Sequence, residues 1–140
     1  MVKCPEKLQW LIPYYEEVKP YLPKHKLTHI NHASLAKGKL QLVEAQIWKI
    51  KYSYNFEITM YTEYWKTLSL KPFRRTRKPY SKIDLLVSFA HELAHIQHFS
   101  VHCPKHKSLE AMFIAIFMSK LERSGYVSEE DELKQRGVKL

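Results

Sequence analysis

The segment His91-Glu92-Leu93-Ala94-His95 constrains this chain more than any other. It lies within Ile83 to Phe99, where Leu85, Leu86, Phe89, Leu93 and Ile96 recur at helical spacing. Ser81, followed three residues later by Asp84, has the form of a capping box, so a helix is expected over 82–99. Residues four apart on a helix share one face, one turn from each other. Two imidazoles placed that way can grip one metal ion, and the carboxylate beside the first can reach a water on it. Ala94 is small and leaves that face uncrowded. The pattern points to metal-assisted hydrolysis of peptide bonds, with His91 and His95 as ligands of Zn²⁺ and Glu92 as general base to the zinc-bound water. The competing reading is an amphipathic helix with two surface histidines and an incidental glutamate.

A chain of 140 residues suits one domain, 1–140, with a core large enough to need no staples. Its hydrophobic content of 45% excludes a wholly disordered chain. The longest apolar run, Ala111 to Met118, has eight residues, too few to span a bilayer, and no membrane partner is expected. Lys3 and the short apolar patch at Trp10-Leu11-Ile12 are followed at once by Pro13, Glu16 and Glu17, unlike a secretory signal. Cys4 and Cys103 form neither a CxxC pair nor a disulfide framework, so a reducing, cytoplasmic or otherwise intracellular setting is expected. The formal net charge of +9 favours polyanionic partners. Part of that charge is clustered: Lys71, Arg74, Arg75, Arg77, Lys78 and Lys82 fall in one stretch with Phe73 and Tyr80. Cations interleaved with aromatics suit phosphate contact and base stacking, which makes 71–82, and Arg74, Arg75, Arg77 and Lys78 above all, a candidate nucleic-acid segment. The plainer reading is a solvated loop.

Along the chain, Leu8, Leu11, Ile12, Tyr15, Val18 and Leu22 form a helical stripe over 5–22, bent or ended near Pro13 or Pro20. Period-two alternation then takes over, in Trp48, Ile50 and Tyr52 and again in Phe56, Ile58 and Met60. Three antiparallel strands are expected near 28–36, 40–52 and 56–65, with a bulge between Leu42 and Trp48. The basic stretch 66–80 reads as a long loop. A second helix is expected over 104–124, with Cys103 as N-cap, Pro104 at its first position and Gly125 past its end. A short last helix is expected from Ser128. Trp10, Trp48 and Trp65 read as core or half-core residues. His25, His29 and His32 read as surface residues.

A catalytic zinc usually takes three protein ligands and keeps one open position. His102, His106 and Glu110 follow the motif at usable distances. On the helix over 104–124, His106 and Glu110 project from the same side as Leu109, Phe113, Phe117 and Leu121. A core-facing carboxylate needs a metal or a cation, which makes Glu110 the first choice for third ligand. His106 is the alternative, with Glu110 then accepting a hydrogen bond behind the ligands.

These residues resemble a zincin metallopeptidase over 81–118. The run Glu110-Ala111-Met112-Phe113-Ile114-Ala115 is similar to the third-ligand helix of gluzincins and minigluzincins. His106, early in the second helix, is similar to the third ligand of SprT-like proteases, as are the chain's size and basic charge. The resemblance implies an α+β, zincin-like fold: an N-terminal helix, a small antiparallel sheet of about three strands, the motif helix and a ligand-bearing helix. It implies a zinc-dependent peptidase acting on peptide or protein substrates. Glu92 would pass its proton to the leaving amine, and His98, His102 or a tyrosine would help the metal stabilise the oxyanion. A substrate strand would pair along a free edge at Phe56 to Tyr64. The SprT-like resemblance implies proteolysis of DNA-bound proteins. A basic nucleic-acid-binding module and an inactive zincin-like domain are the alternatives to an enzyme.

Overall fold

The computed structural model describes residues 2–22, 26–34, 45–49, 55–97 and 104–125. The chain starts with a 3₁₀ turn at Glu6–Leu11, which runs into helix α1 (Ile12–Val18) and a second 3₁₀ turn at Lys19–Tyr21. Pro13 stands in the first turn of α1, where a missing N–H costs nothing. Five strands follow: β1 (Lys26–Ala33), β2 (Ala45–Lys49), β3 (Asn55–Tyr61), β4 (Glu63–Leu70) and β5 (Phe73–Pro79). Helices α2 (Lys82–Gln97) and α3 (Pro104–Arg123) complete an α+β fold. Residues 42–44, where the expected bulge begins, and the helix expected from Ser128 lie outside the described residues.

The strands divide into a three-stranded sheet, ordered β1-β3-β2, and the hairpin β4-β5. Four expectations are corrected here. β3 pairs antiparallel with β2 but parallel with β1, so the sheet is mixed. β3 is the most apolar strand, with Phe56, Ile58 and Met60 buried in alternation, and the centre of a sheet is where such a strand gains most. Phe56 to Tyr61 is therefore an inner strand and offers no free edge. The strand expected over 56–65 is also broken at Thr62. There the Thr62 and Glu63 amides donate to the carbonyls of Ala33 and Ser34 (3.1 and 2.9 Å), and the chain crosses into the second sheet. Finally, the basic stretch 66–80 is not a loop. β4 and β5 pair from Glu63↔Pro79 to Leu70↔Phe73 across a turn at Lys71-Pro72, with an irregularity between Thr67 and Ser69. Alternation in a polar hairpin carries little hydrophobic contrast, so the period of two is hard to see in the sequence.

The helices follow the sequence closely. The Asp84 amide donates to Ser81 Oγ at 3.1 Å, half of the expected capping box. α3 begins at Pro104, and Gly125 past its end takes φ +88°, a conformation that favours glycine in a helix-ending turn. Leu85, Leu86, Phe89, Ala90, Leu93 and Ala94 of α2 are buried with Phe113, Phe117 and Leu121 of α3. Phe89 stacks on Phe117 (centroids 6.0 Å, 19°), and Tyr14 of α1 meets Phe117 edge-on at 5.7 Å. These rings tie α1, α2 and α3 together, and α2 packs across β2 and β3. Trp10 is a half-buried residue against this core, as expected, with Lys82 over its ring at 4.9 Å. Among the described residues no helix is long and apolar enough to cross a membrane.

Candidate metal centre

α2 and α3 form an antiparallel pair, so each turn forward on α3 faces one turn back on α2. His106 of α3 lies against His95 (ring centroids 4.1 Å), and Glu110, one turn on, lies against His91. This register gives the level of His95 to His106 rather than to Glu110.

The result is a cluster of three imidazoles. One ligand atom each from His91, His95 and His106 fall within 4.8 Å of one another, close enough to hold a single metal ion. His91 Nε2 and His95 Nε2 are 3.2 Å apart, with the two rings nearly perpendicular at 86°. His95 and His106 are buried, whereas His91 is half-buried and gives the cluster a side towards solvent. The structure thus brings His106 into the group with the two motif histidines and gives Glu110, the first choice for third ligand, a different place. Glu110 Oε1 accepts a hydrogen bond from His91 Nδ1 at 3.0 Å. That contact puts the proton on Nδ1 and leaves the lone pair of His91 on Nε2, facing His95. His106 Nε2–H donates to the main-chain carbonyl of His91 at 3.2 Å, so its tautomer places the lone pair on Nδ1.

Glu92 is 9% exposed. Burial, reinforced by the nearby Glu110 charge, pushes its carboxyl up to about 7. A carboxyl so placed sits close to the range where a general base works best. His98, His102 and Cys103 lie outside the described residues, as does the Trp48 side chain. His29 and His32 are on β1, away from the cluster, with His29 Nδ1 3.2 Å from Glu57 and His32 Nε2 2.8 Å from the Thr62 hydroxyl. Arg74, Arg75, Arg77 and Lys78 are all on β5, in the hairpin rather than beside the imidazoles.

The arrangement of His106 among the imidazoles and Glu110 behind His91 is the one the sequence leaves as its alternative. Both sit on the stripe that continues to Phe113, Phe117 and Leu121. Nothing in the spacing of that stripe ranks the two, because the choice is set by the register of α3 against α2. No known protein family matches this chain, and no curated protein or solved structure is significantly similar to it.

Proposed function

We propose that this chain is a zinc-dependent peptidase in which His91, His95 and His106 hold the metal and Glu92 is the general base. The observation that carries this reading is the imidazole trio built around the motif helix. Tetrahedral zinc with bonds of about 2.05 Å places its ligand nitrogens about 3.3 Å apart, and the His91 and His95 Nε2 atoms are separated by 3.2 Å. Three neutral nitrogen donors also suit a hydrolytic zinc site, which keeps a fourth position for water or substrate. Zinc, when bound, supplies a Lewis acid that polarises the scissile carbonyl and lowers the pKa of water.

The protein residues do the rest. The Glu92 carboxylate takes a proton from the attacking water as its oxygen bonds to the carbonyl carbon, and then delivers that proton to the leaving nitrogen as the C–N bond breaks. The buried surroundings of Glu92 favour both the uptake and the return of that proton. Glu110 fixes the ring and tautomer of His91, a positioning role. The order of N-terminal helix, small sheet, motif helix and ligand helix agrees with a zincin-like architecture. A third imidazole on the following helix favours the SprT-like form of that architecture over the gluzincin form.

The test is elemental analysis joined to Glu92→Gln. About one zinc per chain is expected, with cleavage of an unfolded protein lost in the variant while the zinc stays. Full cleavage by Glu92→Gln would refute the mechanism.

A further inference from the structure

The hairpin β4-β5 is the part of the molecule that the proposed peptidase chemistry does not use. Its base is anchored: Tyr64 packs on buried Tyr80, the rings tilted by 32° with centroids 4.8 Å apart. From there the strands run outward for about 20 Å at the usual rise per residue. The far end is apolar and uncovered. Leu68, Leu70 and Phe73 are 60%, 76% and 54% exposed, and among the described residues the only other large exposed hydrophobic is Tyr21. Cations are interleaved with them and continue behind: Lys71 is on the turn, Arg74 is opposite Ser69 and Arg75 is opposite Thr67. Residues 63–79 contain Lys66, Lys71, Arg74, Arg75, Arg77 and Lys78 against Glu63 alone, and Glu63 is already paired with Arg77 at 3.0 Å.

We infer that this hairpin tip docks on an anionic lipid surface, with Leu68, Leu70 and Phe73 in the interface and the cations on the phosphates. Both halves of the arm are then matched, because charge complementarity calls for an anionic partner and the bare tip calls for an apolar one. The dimensions fit. The apolar residues lie within the last two or three rungs of the ladder, about 7 Å along the strand, and the apolar faces of interfacial segments sit about 5–10 Å deep in a bilayer. Arg75 pairs with Thr67, behind Leu68 and at the level the headgroups would occupy, and Arg74, opposite Ser69 one rung nearer the tip, can reach back to that level along its side chain. Lys71 on the turn can bend its ammonium back to that level while its methylenes stay in the interface.

Nucleic acid is the other polyanion, and the tip suits it less well. Base stacking uses open aromatic faces, and the Trp65 face is covered by the Arg75 guanidinium at 4.2 Å. Two of the three exposed tip residues are leucines, which have no face to offer a base. The sequence-level expectation of no membrane partner rested on the lack of a spanning segment, and an interfacial arm needs none.

Flotation of the full chain with vesicles of phosphatidylcholine, alone or mixed with phosphatidylserine, tests the inference. Binding is expected on the mixed vesicles and only weakly on the neutral ones. Arg74→Gln with Arg75→Gln should weaken that binding by roughly twentyfold, about fivefold for each cation near an anionic surface. Leu70→Ser with Phe73→Ser should weaken it about tenfold or more at every salt concentration. Leu70→Trp should retain binding and show an emission shift to the blue on the mixed vesicles. All these positions are exposed, and an unchanged thermal midpoint confirms that each variant folds. Undiminished vesicle binding by the serine variant would overturn the inference, as would a Leu70→Trp spectrum blind to lipid. So would a chain that ignores vesicles but binds labelled duplex or single strands through the same tip.

Discussion

Replacing Glu110 and His106 one at a time tests the proposal that the first orients a ligand and the second is a ligand. Glu110→Gln keeps the shape of the side chain and an oxygen that can accept from His91 Nδ1, but removes the charge now 3.0 Å away. Loss of such an outer partner typically costs 10–100-fold in metal affinity, or about 1.4–2.7 kcal/mol. Binding to the folded state alone adds to stability by mass action, so at saturating zinc the same energy is lost from the holo protein. For 140 residues the unfolding entropy is about 0.3 kcal/mol/K, so the zinc-dependent gain in thermal midpoint should shrink by roughly 5–9 °C. His106→Gln removes one of three nitrogen donors and should erase most of that gain. Melts with zinc and with a chelator, together with competition against a chromophoric chelator, read both quantities, and the chelator melt subtracts any cost of altering a buried side chain. Zinc retained by His106→Gln but lost by Glu110→Gln would refute the assignment and return Glu110 to the coordination sphere.

Phe117 packs against Phe89 and Tyr14 with no exposed surface, so Phe117→Ala should cost about 3–5 kcal/mol in urea unfolding; a loss below about 1 kcal/mol would mean that the three helices do not meet there. Burial, with a smaller push from Glu16, raises the Tyr15 phenol from 10.0 to about 12. The unfolded chain therefore releases this proton first, and stability should fall as pH rises from about 10 to 12, by roughly 2–3 kcal/mol at most. Tyr15→Phe should flatten that alkaline limb, and an unaltered limb would show that Tyr15 ionises as freely in the folded state as in the unfolded one. Glu92→Gln and the hairpin variants complete the set.

The helices were legible because their signals are local. Ser81, Pro104 and Gly125 mark ends by their own backbone chemistry. The buried row Leu85, Leu86, Phe89, Leu93 repeats at one period over many residues. The sheet was legible only in its faces. Phe56, Ile58 and Met60 alternate whichever neighbour they have, so nothing in the pattern says that β1 runs parallel beside them. The hairpin was missed for a related reason. None of its strand residues is fully buried and β5 is basic, so the alternation has no buried face to mark it. At the candidate site, His91, Glu92 and His95 could be read from spacing within one helix. The choice between His106 and Glu110 depends on how two helices slide past each other, and a one-turn slip exchanges them. That register is fixed by the packing of side chains such as Phe89 and Phe117 against each other.

The clamping of α2 to α3 by aromatic rings has a practical consequence for the ion. In miniature metal-folded proteins the cation is the keystone, and its removal collapses the arch. Here the walls stand on hydrocarbon, and the three nitrogens line a socket shaped in advance. If those nitrogens take an ion, such a socket should empty and refill without rebuilding the protein around it, and should choose its guest by size and bonding geometry.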